Sequence, residues 1–181
     1  MRIFFATFSL LCAATMTSPA YANSQDDWAT ASDIGAYGLT AIAIGVPLAK
    51  GDEHGALQAG GSYAAAQISA FTLKRVFPET RPDGSDRKSF PSGHTATAFA
   101  SAASIYERQG PKMGIPALAV AGMVGVARVK ADKHHWYDAV AGAGIGLASG
   151  ILITRKPAEK GVAIVPWGDT KSGGISFAMR F

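Results

Sequence analysis

Five apolar segments follow one another along the chain: Ile34–Ala49, Ala56–Phe77, Thr95–Tyr106, Ile115–Val129 and Trp136–Thr154. Each is rich in Ala, Gly, Leu and Ile. The breaks between and after them, "KGDEHG", "PETRPDGSDRKSFPSG", "ERQGPK", "KADKH" and "RKPAEKG", carry charge, Pro or Gly. Segments of this length and composition predict helices rather than strands. Small residues recur inside them, as in "AGAGIGLASG" over 141–150, which lets neighbouring helices approach closely. The pattern predicts an all-α helical bundle of about five core helices, with no internal repeat.

The tail reads differently. "VAIVPW" and "ISFAMRF" flank "GDTKSGG", and Ile175, Phe177, Met179 and Phe181 alternate with Ser176, Ala178 and Arg180. That is the period of a strand with one buried face. A short C-terminal β-hairpin over 161–181 is expected, docked on the bundle, because two strands cannot close a barrel.

Residues 1–22, "MRIFFATFSLLCAATMTSPAYA", have the shape of a secretory signal peptide. Arg2 gives the positive start, Ile3 to Ala14 the apolar run, and Ala20-Tyr21-Ala22 the small-x-small cleavage signature. An uncleaved anchor is the alternative. A lipoprotein reading is weaker, since Leu11 stands where a small residue belongs before Cys12. Cys12 is the only cysteine, so a cleaved chain holds its core without disulfides. The expected organisation is a signal at 1–22, a helical domain at 23–160 opening on the polar leader "NSQDDWATASD", and the tail.

Net charge is +4 and falls to +3 without Arg2. A mild basic excess suits anionic ligands or an acidic membrane surface. It is too diffuse for nucleic acid, and basic-aromatic interleaving is absent. The place of the bundle relative to lipid stays open at this level. Ile34–Ala49 has sixteen residues, about 24 Å of helix, against a bilayer core of about 30 Å. An uncleaved first helix would put "KGDEHG", "ERQGPK" and "RKPAEKG" on the cytoplasmic side, as positive charge prefers. In both arrangements the loops discussed next lie outside the cytoplasm: the protein is expected to be exported, on the periplasmic side, with inner-membrane association or integration open.

Three polar clusters carry candidate chemistry. In "KRVFPETRP", Lys74 ends a helix where a cation suits the dipole, and Arg81-Pro82 follow; alone this reads more readily as a helix end and a solvated turn than as a site. In "PSGH", Ser92 is placed as a helix N-cap and Gly93 lets a ligand approach the backbone, so the free N–H groups and His94 face an anion. A plainly capped helix with an exposed histidine is the alternative. In "ARVKADKHHWYDAVAG", His134 and Asp138 are four apart at a predicted helix start. On one face, Asp138 can accept from one ring nitrogen and leave the other as nucleophile or base; a surface ion pair is the alternative. Together, Lys74, Arg81 and Arg128 give three cations, Ser92 and Gly93 neutral donors, and two histidines a base and a proton donor. Arginine suits bidentate capture of phosphate oxygens, and the inventory fits phosphoryl transfer through a covalent histidine.

These three clusters resemble the signature of the type 2 phosphatidic acid phosphatase superfamily, which includes lipid phosphate phosphatases, bacterial non-specific acid phosphatases and vanadium haloperoxidases. The family pattern K-x6-RP, PSGH, SR-x5-H-x3-D is met by Lys74 to Pro82, by Pro91 to His94, and by Arg128, His134 and Asp138, over roughly 56–150. Ala127 stands where the pattern has Ser. The resemblance implies that His134 attacks phosphorus, Asp138 orients it, and His94 protonates the leaving oxygen and then activates water. It also implies that Lys74, Arg81, Ser92, Gly93 and Arg128 bind the phosphate, that Pro82 and Pro91 shape loops, and that neither metal nor cofactor is needed. A metal reading of "HHWYD" with His94 fits no structural zinc spacing; His135 has no assigned role.

The apolar bundle favours a phosphomonoester or pyrophosphate on a lipid as the partner: phosphatidic acid, phosphatidylglycerol phosphate, polyprenyl pyrophosphate or a lipid A phosphate. A soluble periplasmic acid phosphatase acting on small phosphomonoesters is the near alternative. A vanadium haloperoxidase is more remote, and a non-catalytic phosphate binder would not need the two histidines.

Overall fold

A computed structural model describes residues 24–156, 162–168 and 173–179. Five helices run in chain order: α1 (Ser24–Ala49), α2 (Glu53–Val76), α3 (Gly93–Gln109), α4 (Pro111–Lys130) and α5 (Trp136–Ile153). Short links at 50–52 and at Gly110 join α1 to α2 and α3 to α4 at one end of the bundle. The long 77–92 connection and the 131–135 turn lie at the other. All three clusters fall at that second end: Lys74 to Pro82 runs from α2 into the long connection, Pro91 to His94 from that connection into α3, and Arg128 to Asp138 from α4 through the 131–135 turn into α5.

α3 is the central helix and packs on the other four. Ten of its seventeen residues are buried, and all of them are Ala, Ser, Thr or Ile. Its neighbours close on it through equally small residues. A Cβ on Gly142 would meet the Ser92 carbonyl oxygen at 2.4 Å, and one on Gly146 the Ala96 carbonyl oxygen at 2.3 Å. A Cβ on Gly150 would meet the Ala103 Cβ at 2.4 Å. Three glycines four residues apart thus lay the α5 backbone against α3, as the small-residue run predicts. The core is mostly alanine, while Ile34, Leu57, Ile68, Met123, Trp136, Val140 and Leu152 point outward, each at least 62% exposed.

Two boundaries differ from the sequence expectation. The stretch read as a polar leader forms the first turns of α1, which starts at Ser24, ten residues before Ile34. Asp26 and Asp27 lie in its first turn, where the dipole favours them. Ser32, also within that stretch, is fully buried against the rest of the bundle. The second helix begins at Glu53, capped by Asp52 accepting from the Gly55 N–H at 2.9 Å. With α1 at 26 residues, three helices among those described are long and apolar enough to cross a membrane: α1, α4 and α5.

β1 (Val162–Gly168) and β2 (Gly173–Met179) pair antiparallel, Val162 opposite Met179 and Gly168 opposite Gly173. The expected signal segment and the turn between the strands lie outside the described residues.

Candidate phosphate site

The site is assembled from loop ends that α3 holds together. Ser92 caps α3, its hydroxyl paired with that of Thr95 at 2.9 Å and 3.4 Å from the Thr95 nitrogen. Its backbone N–H donates to the Asp138 carbonyl oxygen at 3.0 Å, which ties the "PSGH" turn to the start of α5. Gly93 opens the helix; a Cβ there would meet Gln67 Oε1 at 3.5 Å, an ordinary contact. Only the tip of the Gln67 side chain approaches that position.

Lys74 reaches from the last turn of α2 and donates to three carbonyl oxygens, those of Lys88 (2.7 Å), Ser89 (3.2 Å) and Pro91 (2.5 Å). An ammonium has three N–H groups, so all are engaged. Lys74 therefore ties the 88–91 segment and adds its charge without a spare donor. Burial, reinforced by Arg81, pushes it down to about 8. Arg81 donates from Nε to Asp86 Oδ1 at 2.7 Å. Arg128, on the last turns of α4, is buried; its Nη1 donates to Ser32 Oγ at 3.2 Å and its Nε has no partner.

His134 and Asp138 come together in a way that the helical spacing did not predict. α5 begins at Trp136, and His135 is its extended N-cap, so His134 lies in the preceding turn and not on the same helical face. Its Nδ1 is 3.6 Å from Asp138 Oδ2, too long for a hydrogen bond. Asp138 Oδ2 instead accepts from the Ser89 hydroxyl at 2.5 Å and the His135 N–H at 2.8 Å. Both partners are sealed: His134 is 2% exposed and Asp138 not at all. His134 Nδ1 and Asp138 Oδ1 are each buried without a hydrogen-bond partner. Burial first, then the charges of Lys74, Arg128 and Arg81, push the His134 imidazolium down to about 3. The ring is thus held as a free base with its lone pair available at neutral pH.

His94 lies in the first turn of α3, half-buried. Burial, and after it Arg128, lower its pKa; Asp33 opposes them. His94 Nε2 is 3.0 Å from Asp33 Oδ1, and the Tyr37 ring packs edge-on against the imidazole at 5.9 Å. Ser32, Asp33 and Tyr37 on α1 were not anticipated from sequence, and neither was Ser89. The three α1 residues fall in a stretch that carries no motif, where only the polar residues spaced four apart at 33 and 37 hinted at a shared face, and Ser89 lies just before the "PSGH" motif.

Of seven buried side-chain polar atoms lacking partners among the described residues, four cluster here: Asp33 Oδ1, Arg128 Nε, His134 Nδ1 and Asp138 Oδ1. Such atoms are rare in folded proteins and mark a place built for something else. Three cations and an unprotonated imidazole point that something toward an anion. Glu79, His135 and Asp138 bring potential metal-ligand atoms within 4.8 Å of one another. Asp138 Oδ2, however, already accepts two hydrogen bonds, and Glu79 accepts from the Tyr137 hydroxyl.

Residues 83–161, a little under half of the chain, match the family model of the PAP2 superfamily. A lipid A 1-phosphatase of Porphyromonas gingivalis is 38% identical over 82 residues, which are 44% of this chain and 18% of the relative. The chain therefore aligns with less than a fifth of that relative's length. The crystal structure of Aquifex aeolicus LpxE superposes with a TM-score of 0.60 at 22% identity, covering 71% of this chain and 83% of that one. That similarity concerns the fold. The first cluster, Lys74 to Pro82, lies just before the matched residues.

Proposed function

We propose that this chain is a phosphatase that hydrolyses a phosphomonoester or pyrophosphate of a lipid through a phosphohistidine on His134, without a metal. What carries the reading is the buried, unprotonated His134 facing Lys74, Arg81 and Arg128, with Arg128 Nε and Asp138 Oδ1 left unpartnered beside it. In this reading a phosphate oxygen takes the Arg128 donor and the amides at the start of α3. His134 forms the bond to phosphorus as the leaving oxygen departs with a proton from His94. The positive charge that develops on the imidazole is met by Asp138, a small closure bringing the carboxylate from 3.6 Å into hydrogen-bond range. Water, deprotonated by His94, then releases phosphate. The cations neutralise the transition state, as a divalent ion does in other phosphoryl transfers. Lys74 contributes charge and loop geometry rather than a direct donor.

The lipid substrate class rests on the inverted packing: alanine inside, large aliphatic and aromatic side chains outside, and three helices of spanning length. An aqueous protein covers such surface; a lipid-embedded bundle presents it. That the Porphyromonas relative is a lipid A 1-phosphatase makes a lipid A phosphate one substrate to try first.

The test is phosphate release by detergent-purified protein, with EDTA present, from lipid phosphates in mixed micelles and from p-nitrophenyl phosphate. Lipid phosphate should turn over faster, and His134→Ala should lose at least about a thousandfold. Faster turnover of the soluble ester would instead favour an acid phosphatase. Full activity in the His134 variant would end the proposed chemistry.

A further inference from the structure

α1 sends a face into the site that no motif covers. Asp33 Oδ1 lies at ion-pair distance, 3.0 Å, from His94 Nε2 and 3.6 Å from Arg128 Nη1; that oxygen is buried and makes no aligned hydrogen bond in this geometry, so it is free to accept one from His94. One turn further on, Tyr37 packs its ring edge on the imidazole. One turn of one helix therefore grips both the position and the charge of His94. We propose, on the strength of the phosphatase reading above, that Asp33 is a positioning residue: it holds His94 by Nε2 in the orientation and charge state from which Nδ1 passes its proton to the leaving oxygen.

The need for such a residue follows from the surroundings. The charged groups facing His94 are Lys74 from α2, Arg81 from the long connection and Arg128 from α4, with Asp33 alone of opposite sign. Three cations that help to hold a phosphate also expel the proton that the leaving oxygen requires in the first half of the reaction. A carboxylate on the far nitrogen resolves the conflict. It accepts the Nε2–H bond, lets the ring carry a second proton on Nδ1, and keeps the negative charge off the axis of attack. When Nδ1 gives its proton to the leaving oxygen, the ring becomes neutral and still donates from Nε2 to Asp33. The same Nδ1 lone pair then takes a proton from the attacking water, which restores the starting state. Asp33 neither gains nor loses a proton in the cycle.

The experiment is Asp33→Asn in detergent-purified full-length protein. It compares kcat for a lipid phosphate, whose alkoxide leaves only with a proton, with kcat for p-nitrophenyl phosphate, whose phenolate leaves without one. Asp33→Asn should lower kcat on the lipid phosphate about 10²-fold and on the nitrophenyl ester less than about threefold. KM should change little and the alkaline limb of the lipid profile should move to lower pH. Asp33→Glu should restore part of the loss. Independently of turnover, the His94 ring titration followed by NMR should move down by about one unit in the Asn variant. Equal losses on both substrates would overturn the proposal and mean a structural role. So would unchanged kcat with tighter orthovanadate inhibition, because Asp33 would then be competing for the anion site. A wild-type protein inactive on both esters would count against the phosphatase reading; an unmoved His94 titration would count against this one alone.

Discussion

Replacing Gly142 by alanine tests the link between packing and chemistry most directly. The added Cβ would lie 2.4 Å from the Ser92 carbonyl oxygen, 3.2 Å from Thr95 Cβ and 3.3 Å from the Ala96 nitrogen. Ordinary contact begins near 3.4 Å, so α5 must back away from α3 by about 1 Å. Backbone, unlike the tip of a side chain, has no rotamer to give, and overpacking of this kind costs about 1–3 kcal/mol. Gly144, two residues on, supplies the control: a Cβ there meets nothing within 4 Å. Both substitutions gain the same helix propensity, roughly 1 kcal/mol, so the difference between the two variants isolates the clash. The displaced atoms belong to Ser92 and, through its N–H bond, to Asp138. A 1 Å misplacement of reacting groups costs up to about 10²-fold in rate. Chemical unfolding followed by circular dichroism should therefore place Gly142→Ala about 1–3 kcal/mol below Gly144→Ala. Phosphate release at a temperature where both are folded should fall at least tenfold in the former alone. Indistinguishable stability and rate in the two variants would refute the claim that the glycine contact sets the register of the site.

Two pH effects follow from the charges in the pocket. Lys74 is held at about 8 in the free protein, so its charge is complete below that pH and is lost above it. KM for a phosphate ester should rise as pH climbs from 8 to 9 while kcat changes less, and Lys74→Arg, whose charge is fixed, should abolish the rise. His134 is held at about 3 against an ordinary 6.5, so below 6.5 the unfolded chain takes a proton that the folded one refuses. Stability then falls as pH drops through that window, by about 2 kcal/mol between pH 6.5 and 5 from this group. His134→Asn should flatten the slope, and saturating orthovanadate, which offsets the cations, should reduce it in the wild type.

What the sequence made legible, and what it hid, follows a physical division. Helices announce themselves through length and composition, and reactive side chains through residue type at fixed spacing, so the five segments, the two histidines and the cations could be read directly. Rules that sort polar from apolar assume that polar residues face water. They fail where polar residues meet other polar groups of the protein instead, as buried Ser32 and half-exposed Asp33 do: the first turns of α1 looked like a leader because their polar face meets Arg128 and His94. Spacing also fails at helix ends. The four-residue interval between His134 and Asp138 suggested a shared helical face. The extended backbone of His135, with φ −73° and ψ 160°, places the helix start between them. Asp138 thereby becomes the residue that caps that start.

Lys74 is the most instructive case, because residue type was right and partner was hidden. A lysine before an Arg-Pro pair suggests an anion, yet its ammonium is spent on the carbonyl oxygens of Lys88, Ser89 and Pro91. Those acceptors belong to every residue type and leave no trace in sequence; only the return of the 77–92 connection to the end of α2 brings them there. The same return delivers Ser89 to Asp138 and Ser92 to the start of α5. The cation proposed to favour phosphate thus also closes the loop that leads into the N-terminus of α3. Substituting Lys74 therefore removes charge and loop geometry together. A change that spares the charge and lengthens the reach, as in Lys74→Arg, is the one able to separate them.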